Sequence, residues 1–267
     1  MTASPPPRNL KRLGESYWVE SRRPLASLVF TAPLLTAYEV AVLTLGRHAL
    51  RNGAEAWLRQ LLDGLGFGQY FLLPVLTVCI LLAWHHVTRE PWRLPGGVLY
   101  GMTGECVLLA LCLRLLLRLQ GIFLRALTGA PLHAFFLPSL AGAPLLGAAP
   151  ALGAIAGYLG TIAGYLGAGI YEELLFRLIL LPLGIGLFRW LRLSRPTSTL
   201  GGIVLTSLLF AAAHYVGPSG DAFNSFTFLF RFVAGAFFSV LFLYRGFGIA
   251  AGAHAGYDVL VGLSLAG

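Results

Sequence analysis

The sequence has little charge. Asp, Glu, Lys and Arg make up only 11% of its 267 residues, whereas 57% of the residues are hydrophobic. Soluble globular domains carry about 25% charged residues, so this chain lacks the polar surface that a water-soluble core requires. The composition therefore excludes a soluble enzyme or a soluble binding domain, and it predicts an integral membrane protein.

Lysine and cysteine are also scarce. Lys11 is the single lysine, so arginine supplies nearly all of the 19 basic residues and most of the net charge of +8. These basic residues lie mainly in short segments between apolar runs, which indicates topology signals and lipid-headgroup contacts and not a nucleic-acid site. The cysteines, Cys79, Cys106 and Cys112, lie in apolar runs without metal-ligand spacing, so neither a disulfide framework nor a zinc ribbon is expected.

Long apolar runs dominate the chain. Because about 20 apolar residues cross the hydrocarbon core as a helix, the runs predict an all-α, polytopic membrane bundle of about eight transmembrane helices. The predicted spans are approximately 24–45, 67–86, 97–119, 151–166, 167–188, 199–215, 226–244 and 248–265. Residues 46–64 alternate charged residues with Leu and Trp at helical spacing, which predicts a short interfacial helix.

The chain divides into three parts. Residues 1–23 are predicted to be a basic cytoplasmic tail, in accordance with the positive-inside rule. Residues 24–149 would contain the first spans, the interfacial helix and a loop at 120–150 with a re-entrant piece, and residues 150–267 would form a second transmembrane core. Strict alternation of spans places the basic segment 189–195 outside, against the same rule, so the number and orientation of spans stay open.

The segment GIYEELLFRLILL, residues 169–181, contains three charged residues in an otherwise apolar run. A charge at the centre of a membrane costs about 3 kcal/mol or more, so its presence indicates function. Glu173 and Arg177 are four residues apart, share one face of a helix and can form a pair. Glu172 is turned by about 100° from Glu173 and can face a different surface.

Two later helices carry further ionisable residues at helical spacing. FAAAH spans Phe210 to His214, and HAGYD spans His254 to Asp258. If these side chains converge on Glu172, the carboxylates and imidazoles could bind one divalent metal such as zinc. They could equally form a metal-free site in which Glu172 deprotonates water.

The ordered set EExxxR, FxxxH and HxxxD resembles the CPBP family of CAAX-processing and bacteriocin-processing intramembrane endopeptidases, also called the Abi family. The resemblance covers about residues 150–265 and is closest at YEELLFR. It implies a catalytic transmembrane core in which water attacks a peptide bond of a membrane protein or peptide. It also implies Glu172 as the general base and Phe210 as a residue that shapes the pocket.

The resemblance assigns roles to the remaining motif residues. His214 would position the water or bind a metal. His254 and Asp258 would stabilise the oxyanion or complete a metal site, so the tentative metal ligands are Glu172, His214, His254 and Asp258. Glu173 and Arg177 would support the first helix as a pair.

Asp258 stands where the CAAX-processing members have asparagine, whereas many bacterial members resemble this chain in having aspartate. A neutral amide can donate a hydrogen bond to an oxyanion, whereas an ionised carboxylate would repel it. Asp258 must therefore be protonated, bind a metal or orient His254. The oxyanion role of this residue stays open.

Two other functions remain possible at this stage. The chain could be a non-catalytic member of the same family, for bacteriocin immunity or as a scaffold. It could also be a proton-coupled transporter, although no internal repeat is visible. The content of Gly, Ala and Arg suggests a bacterial protein of the inner membrane, and neither the substrate nor the oligomeric state can be predicted.

Overall fold

The computed structural model describes residues 17–46, 51–129, 151–217 and 220–265. These residues contain helices and no strands, which confirms the predicted all-α fold. The helices are α1 (Pro24–Leu45), α2 (Gly53–Gly64), α3 (Leu72–Thr88), α4 (Gly96–Thr128), α5 (Ala151–Glu173), a π-helical segment (Leu174–Leu180), α6 (Leu181–Trp190), α7 (Arg195–Ala213), α8 (Ser225–Arg245) and α9 (Phe247–Leu265).

The helices form a membrane bundle. By length and composition, α1, α4, α7 and α8 can each cross a membrane, and α3 is a shorter apolar helix. On α4, Met102, Cys106 and Ala110 are buried against the bundle, whereas Val107 and Leu111 point outward. An exposed apolar face of this kind is favourable only in contact with lipid, so the chain is a multi-pass membrane protein.

The predicted fourth and fifth spans are one continuous stretch of helix. The helical path begins in α5, passes through the π-helical segment and ends in α6. The prediction of separate spans at 151–166 and 167–188 is therefore wrong. Gly167 does not interrupt the helix, because it packs so closely on Tyr38 that a Cβ atom there would lie 2.5 Å from the ring.

The π-helical segment ends two residues before Pro182. Proline lacks an amide N–H, and its ring collides with the carbonyl four residues earlier, so a regular α-helix cannot continue through this position. Wider π turns are frequent at functional sites. This one begins directly after Glu172 and Glu173 and contains Arg177.

The short helix predicted within residues 46–64 is confirmed as α2, and its interfacial placement stays a prediction. Its first turn is capped by Asn52, whose side chain accepts a hydrogen bond from the amide of Glu55 at 2.7 Å. At the other limits of the prediction, α4 continues to Thr128, well past the expected end at 119. The loop predicted at 120–150 is therefore wrong for residues 120–128, which are helical. Its remainder at 130–150 and the tail up to residue 16 lie outside the described residues and stay predictions.

Helix α9 packs against α1, α4, α5 and α8 and brings the two ends of the core together. Small residues allow this close approach. A Cβ atom on Gly169 would lie 2.7 Å from both the carbonyl oxygen of Ala251 and the Cβ of Ala255. The crossing of α5 and α9 at Gly169 places Glu173, one turn further along α5, beside His254.

Candidate active site

Glu173 is the buried centre of an ionic cluster. Its Oε1 accepts a hydrogen bond from Nδ1 of His254 at 2.8 Å and lies 3.1 Å from Nη1 of Arg177. The predicted pair of Glu173 and Arg177 is therefore confirmed. Arg177 also donates from Nη2 to the carbonyl oxygen of Gly235 at 3.2 Å, so α5, α8 and α9 meet at this cluster.

Glu172 faces the other nitrogen of the same imidazole. Its Oε2 lies 3.8 Å from Nε2 of His254, and Oδ2 of Asp258 lies 3.6 Å from that nitrogen. Among the described residues, Oε2 of Glu172 is buried and has no hydrogen-bond partner. Since the Nδ1–H of His254 donates to Glu173, its Nε2 is the atom that faces Glu172 and Asp258.

Aromatic rings hold the imidazole of His254 in place. The ring of Phe238 stacks on it with a centroid distance of 4.4 Å and an interplanar angle of 14°. Phe210 approaches it edge-on at 6.0 Å and also lies 4.3 Å from the guanidinium carbon of Arg177. Stacking and cation–π contacts favour one ring orientation, so Phe210 and Phe238 restrict how His254 can turn.

His214 joins this site through Phe210. It follows the last residue of α7, and its Nδ1 is 2.8 Å from the carbonyl oxygen of Phe210, to which the ring donates. The Phe210 ring is 4.9 Å from the His214 ring. In the described part of the chain, His214 forms no ion pair with either carboxylate, whereas Glu172, Glu173, Arg177, His254 and Asp258 lie in one connected cluster.

The structure shows how the tentative metal ligands are arranged. Within the described ranges, no group of three or more His, Cys, Asp or Glu side chains is arranged to hold a metal ion. The predicted ligands Glu172, His254 and Asp258 are close together, with Nε2 of His254 facing both carboxylates while Nδ1 donates to Glu173. No reaction step below passes through a metal. The divalent metal stays a sequence prediction.

Two residues of the site were not among the predicted ones. Phe238 has no signal in the sequence, because an aromatic residue in an apolar helix is ordinary. Arg231 did carry a signal, since it is a lone charge inside the apolar helix α8. It forms an ion pair with Asp221 in the segment that connects α7 and α8.

The fold and this cluster together define a polytopic membrane protein with a buried acid–imidazole centre, of the kind that supports hydrolysis. Residues 154–260 match the family described as type II CAAX prenyl endopeptidase Rce1-like, so this part of the chain is similar to an Rce1-like domain. The match contains all of the motif residues and confirms the predicted family. It also supports protease activity. Neither the curated proteins nor the solved structures contain a match to the chain.

Proposed function

We propose that this protein is an intramembrane endopeptidase that hydrolyses a peptide bond of a membrane-associated protein or peptide, with Glu172 as the general base. The main support is the buried Oε2 of Glu172, which has no hydrogen-bond partner among the described residues. A buried acceptor without a partner costs about 1–3 kcal/mol, so a purely structural role does not account for it. Its separation of 3.8 Å from Nε2 of His254 suits a bridging water.

In the proposed reaction, Glu172 removes a proton from this water while the water oxygen attacks the carbonyl carbon of the substrate. The carbonyl oxygen becomes an oxyanion, and His254 donates a hydrogen bond to it from Nε2. Collapse of the tetrahedral intermediate breaks the C–N bond. Glu172 then returns its proton to the leaving amine, which regenerates the carboxylate.

Glu173 positions His254 for this step. Its carboxylate accepts from Nδ1 at 2.8 Å and so directs Nε2 toward the reacting atoms, as the carboxylate does in an acid–histidine–nucleophile triad. The guanidinium of Arg177 balances the negative charge of the Glu173 carboxylate. Asp258, 3.6 Å from Nε2, stabilises the protonated imidazole and thereby has a role that does not require it to face the oxyanion.

His214 completes the proposed site from α7 by binding the substrate or the water on the side of Phe210. Its Nδ1 is engaged with the Phe210 carbonyl, which fixes the ring and leaves Nε2 as the nitrogen for this contact. We place the protein in a bacterial inner membrane, where its substrate would be another membrane-anchored chain. This placement rests on the apolar helices and on the composition.

The test compares cells that express the wild type, the Glu172→Gln variant or no protein. Mass spectrometry of the membrane proteome would identify C-termini that are cut only in the wild type. Normal processing by a Glu172→Gln protein present at wild-type level would overturn the proposal. Protection against a bacteriocin that survives in this variant would instead support a non-catalytic role.

A further inference from the structure

Arg231 occupies a position beside the site that the proposed reaction does not use. On one side its guanidinium forms an ion pair with Asp221, and on another it lies 4.9 Å from the centre of the Tyr215 ring. Tyr215 directly follows His214 in the chain. The arginine therefore lies against the segment that starts at the predicted water-positioning residue.

Hydrogen bonds hold Tyr215 and Asp221, which belong to this segment, in place beside α8. The amide of Asp221 donates to the carbonyl oxygen of His214 at 2.9 Å. The hydroxyl of Tyr215 is 2.7 Å from that of Thr227, one helical turn before Arg231. The position of Arg231 relative to His214 is thus set by contacts on both sides of the connection.

Arg231 has more hydrogen-bonding capacity than its described surroundings use. Nη2 binds Asp221, whereas Nη1 is buried and has no hydrogen-bond partner among the described residues. The guanidinium is a planar fork that matches the geometry of a carboxylate. A buried donor of this kind, beside the segment that follows His214, is placed to receive an acceptor that arrives with the substrate.

We propose, on the basis of the proposed function, that Arg231 binds a carboxylate of the substrate through Nη1 while Asp221 holds Nη2. The carboxylate is either the C-terminus of the substrate or an acidic side chain near the cleaved bond. In the absence of substrate, Asp221 neutralises the arginine and makes its burial tolerable. Arg231 is then a specificity-determining residue that selects peptides with a negative charge on one side of the cut.

The experiment uses the full chain in lipid nanodiscs and a mixture of short synthetic peptides of random sequence. One set has free C-terminal carboxylates, and a second set has the same sequences with C-terminal amides. A third arm replaces Asp and Glu in the cleaved peptides by Asn and Gln. Product formation by mass spectrometry gives kcat and KM for the peptides that are cut, so the arms separate the two sources of carboxylate.

We expect the wild type to prefer one carboxylate-bearing set, and Arg231→Gln to lose this preference through KM with little change in kcat. A charge-assisted hydrogen bond is worth about 1.5–3 kcal/mol, which corresponds to a preference of about tenfold to hundredfold. Arg231→Lys, which keeps the charge but lacks the fork, should retain part of the preference. It also serves as the second variant if the glutamine substitution does not fold.

The same measurements can overturn the inference. If Arg231→Gln and the wild type show equal ratios of acid to amide cleavage in every arm, Arg231 does not bind the substrate. An effect of Arg231→Gln that occurs only in nanodiscs of anionic phosphatidylglycerol, and not in phosphatidylcholine, would indicate a lipid phosphate instead and would also overturn it. Absence of any cleavage by the wild type would contradict the proposed function itself, which is a different result.

Discussion

Tyr171 and Glu172 are neighbours in α5, and each belongs to a different cluster of buried carboxylates. The two clusters differ in how many carboxylate oxygens have a hydrogen-bond donor. Tyr171 belongs to the first, which we call the tyrosine cluster; it consists of Tyr38, Glu39, Glu55, Arg59, Tyr70 and Tyr171. Glu172 belongs to the second, which we call the imidazole cluster; it consists of Glu172, Glu173, Arg177, His254 and Asp258.

Every carboxylate oxygen of the tyrosine cluster has a donor. Glu39 accepts from Tyr171 at 2.6 Å and from Tyr70 at 3.2 Å. Glu55 accepts from Nε of Arg59 at 2.6 Å and also from Tyr38. These phenols and the guanidinium connect α1, α2 and α5, so this cluster is a structural junction whose carboxylate oxygens are satisfied by the protein itself.

The imidazole cluster has carboxylate oxygens without such donors. Oε2 of Glu172 and Oε2 of Glu173 are buried and have no hydrogen-bond partner in the part of the chain that the structure describes. Both clusters bury negative charge in an apolar bundle, and only this one leaves acceptors for a molecule that comes from outside. Burial of a charge alone therefore does not indicate a site, whereas unused carboxylate acceptors beside the imidazole of His254 favour one.

The largest effect that follows from this comparison is expected for Glu172→Gln. The amide cannot accept a proton from water, so the rate of cleavage should fall by about 10²–10⁴-fold, the usual contribution of a general base. The thermal unfolding temperature should stay within a few degrees of the wild type, because Oε2 of Glu172 has no hydrogen bond from a described residue that the substitution could remove. Cleavage by this variant near the wild-type rate would show that Glu172 is not the general base and that the imidazole cluster, like the tyrosine cluster, is structural.

Glu173→Gln should damage both stability and activity. Arg177 would remain buried without its counter-ion, and loss of one partner from a buried ion pair costs about 3–5 kcal/mol. His254 would also lose the acceptor that orients it. Thermal unfolding in detergent measures the first effect, and the double variant with Arg177→Met should recover part of the stability without the activity. Equal stability of the single and double variants would contradict this.

Glu39→Gln in the tyrosine cluster should give the reverse of Glu172→Gln. It replaces charged by neutral hydrogen bonds to two phenols, so we expect a loss of stability of up to about 1.5–3 kcal/mol. The folded enzyme should retain its kcat, since Glu39 lies outside the imidazole cluster. A variant that is fully stable but inactive would show that the tyrosine cluster takes part in the reaction.

Gly169→Ala should disturb the contact between α5 and α9 on which the imidazole cluster depends. The added methyl group would lie 2.7 Å from the Ala251 carbonyl and the Ala255 side chain. Such overpacking costs about 1–3 kcal/mol and should move Glu172 away from His254, so activity should fall more than stability. Gly186→Ala is the matched control, because nothing lies within 4 Å of its added Cβ. Because alanine favours the helix more than glycine does, the control should not lose stability, and a loss of the same size there would show that the effect at Gly169 does not come from the contact with α9.

The extent of the sequence prediction can be judged from particular residues. The pair of Glu173 and Arg177 was predictable because residues four apart on a helix meet wherever that helix lies. The bond between Glu173 and His254 was not, because 81 residues separate them and only the crossing at Gly169 brings them together. The predicted boundary between two spans at residue 167 was wrong, because Gly167 lies inside a continuous helix and allows close contact with Tyr38.

The sequence by itself determined the class of the molecule and its local chemistry. Composition required a membrane environment, and the four-residue spacing in ExxxR (Glu173 to Arg177), FxxxH and HxxxD placed each pair of side chains on one helix face, since helical geometry is a local property. Tertiary structure alone decided which buried carboxylates have a hydrogen-bond donor for each oxygen atom. Donors such as Tyr38, Tyr171 and His254 reach their acceptors from other helices, and helix packing, which no single segment encodes, sets those distances.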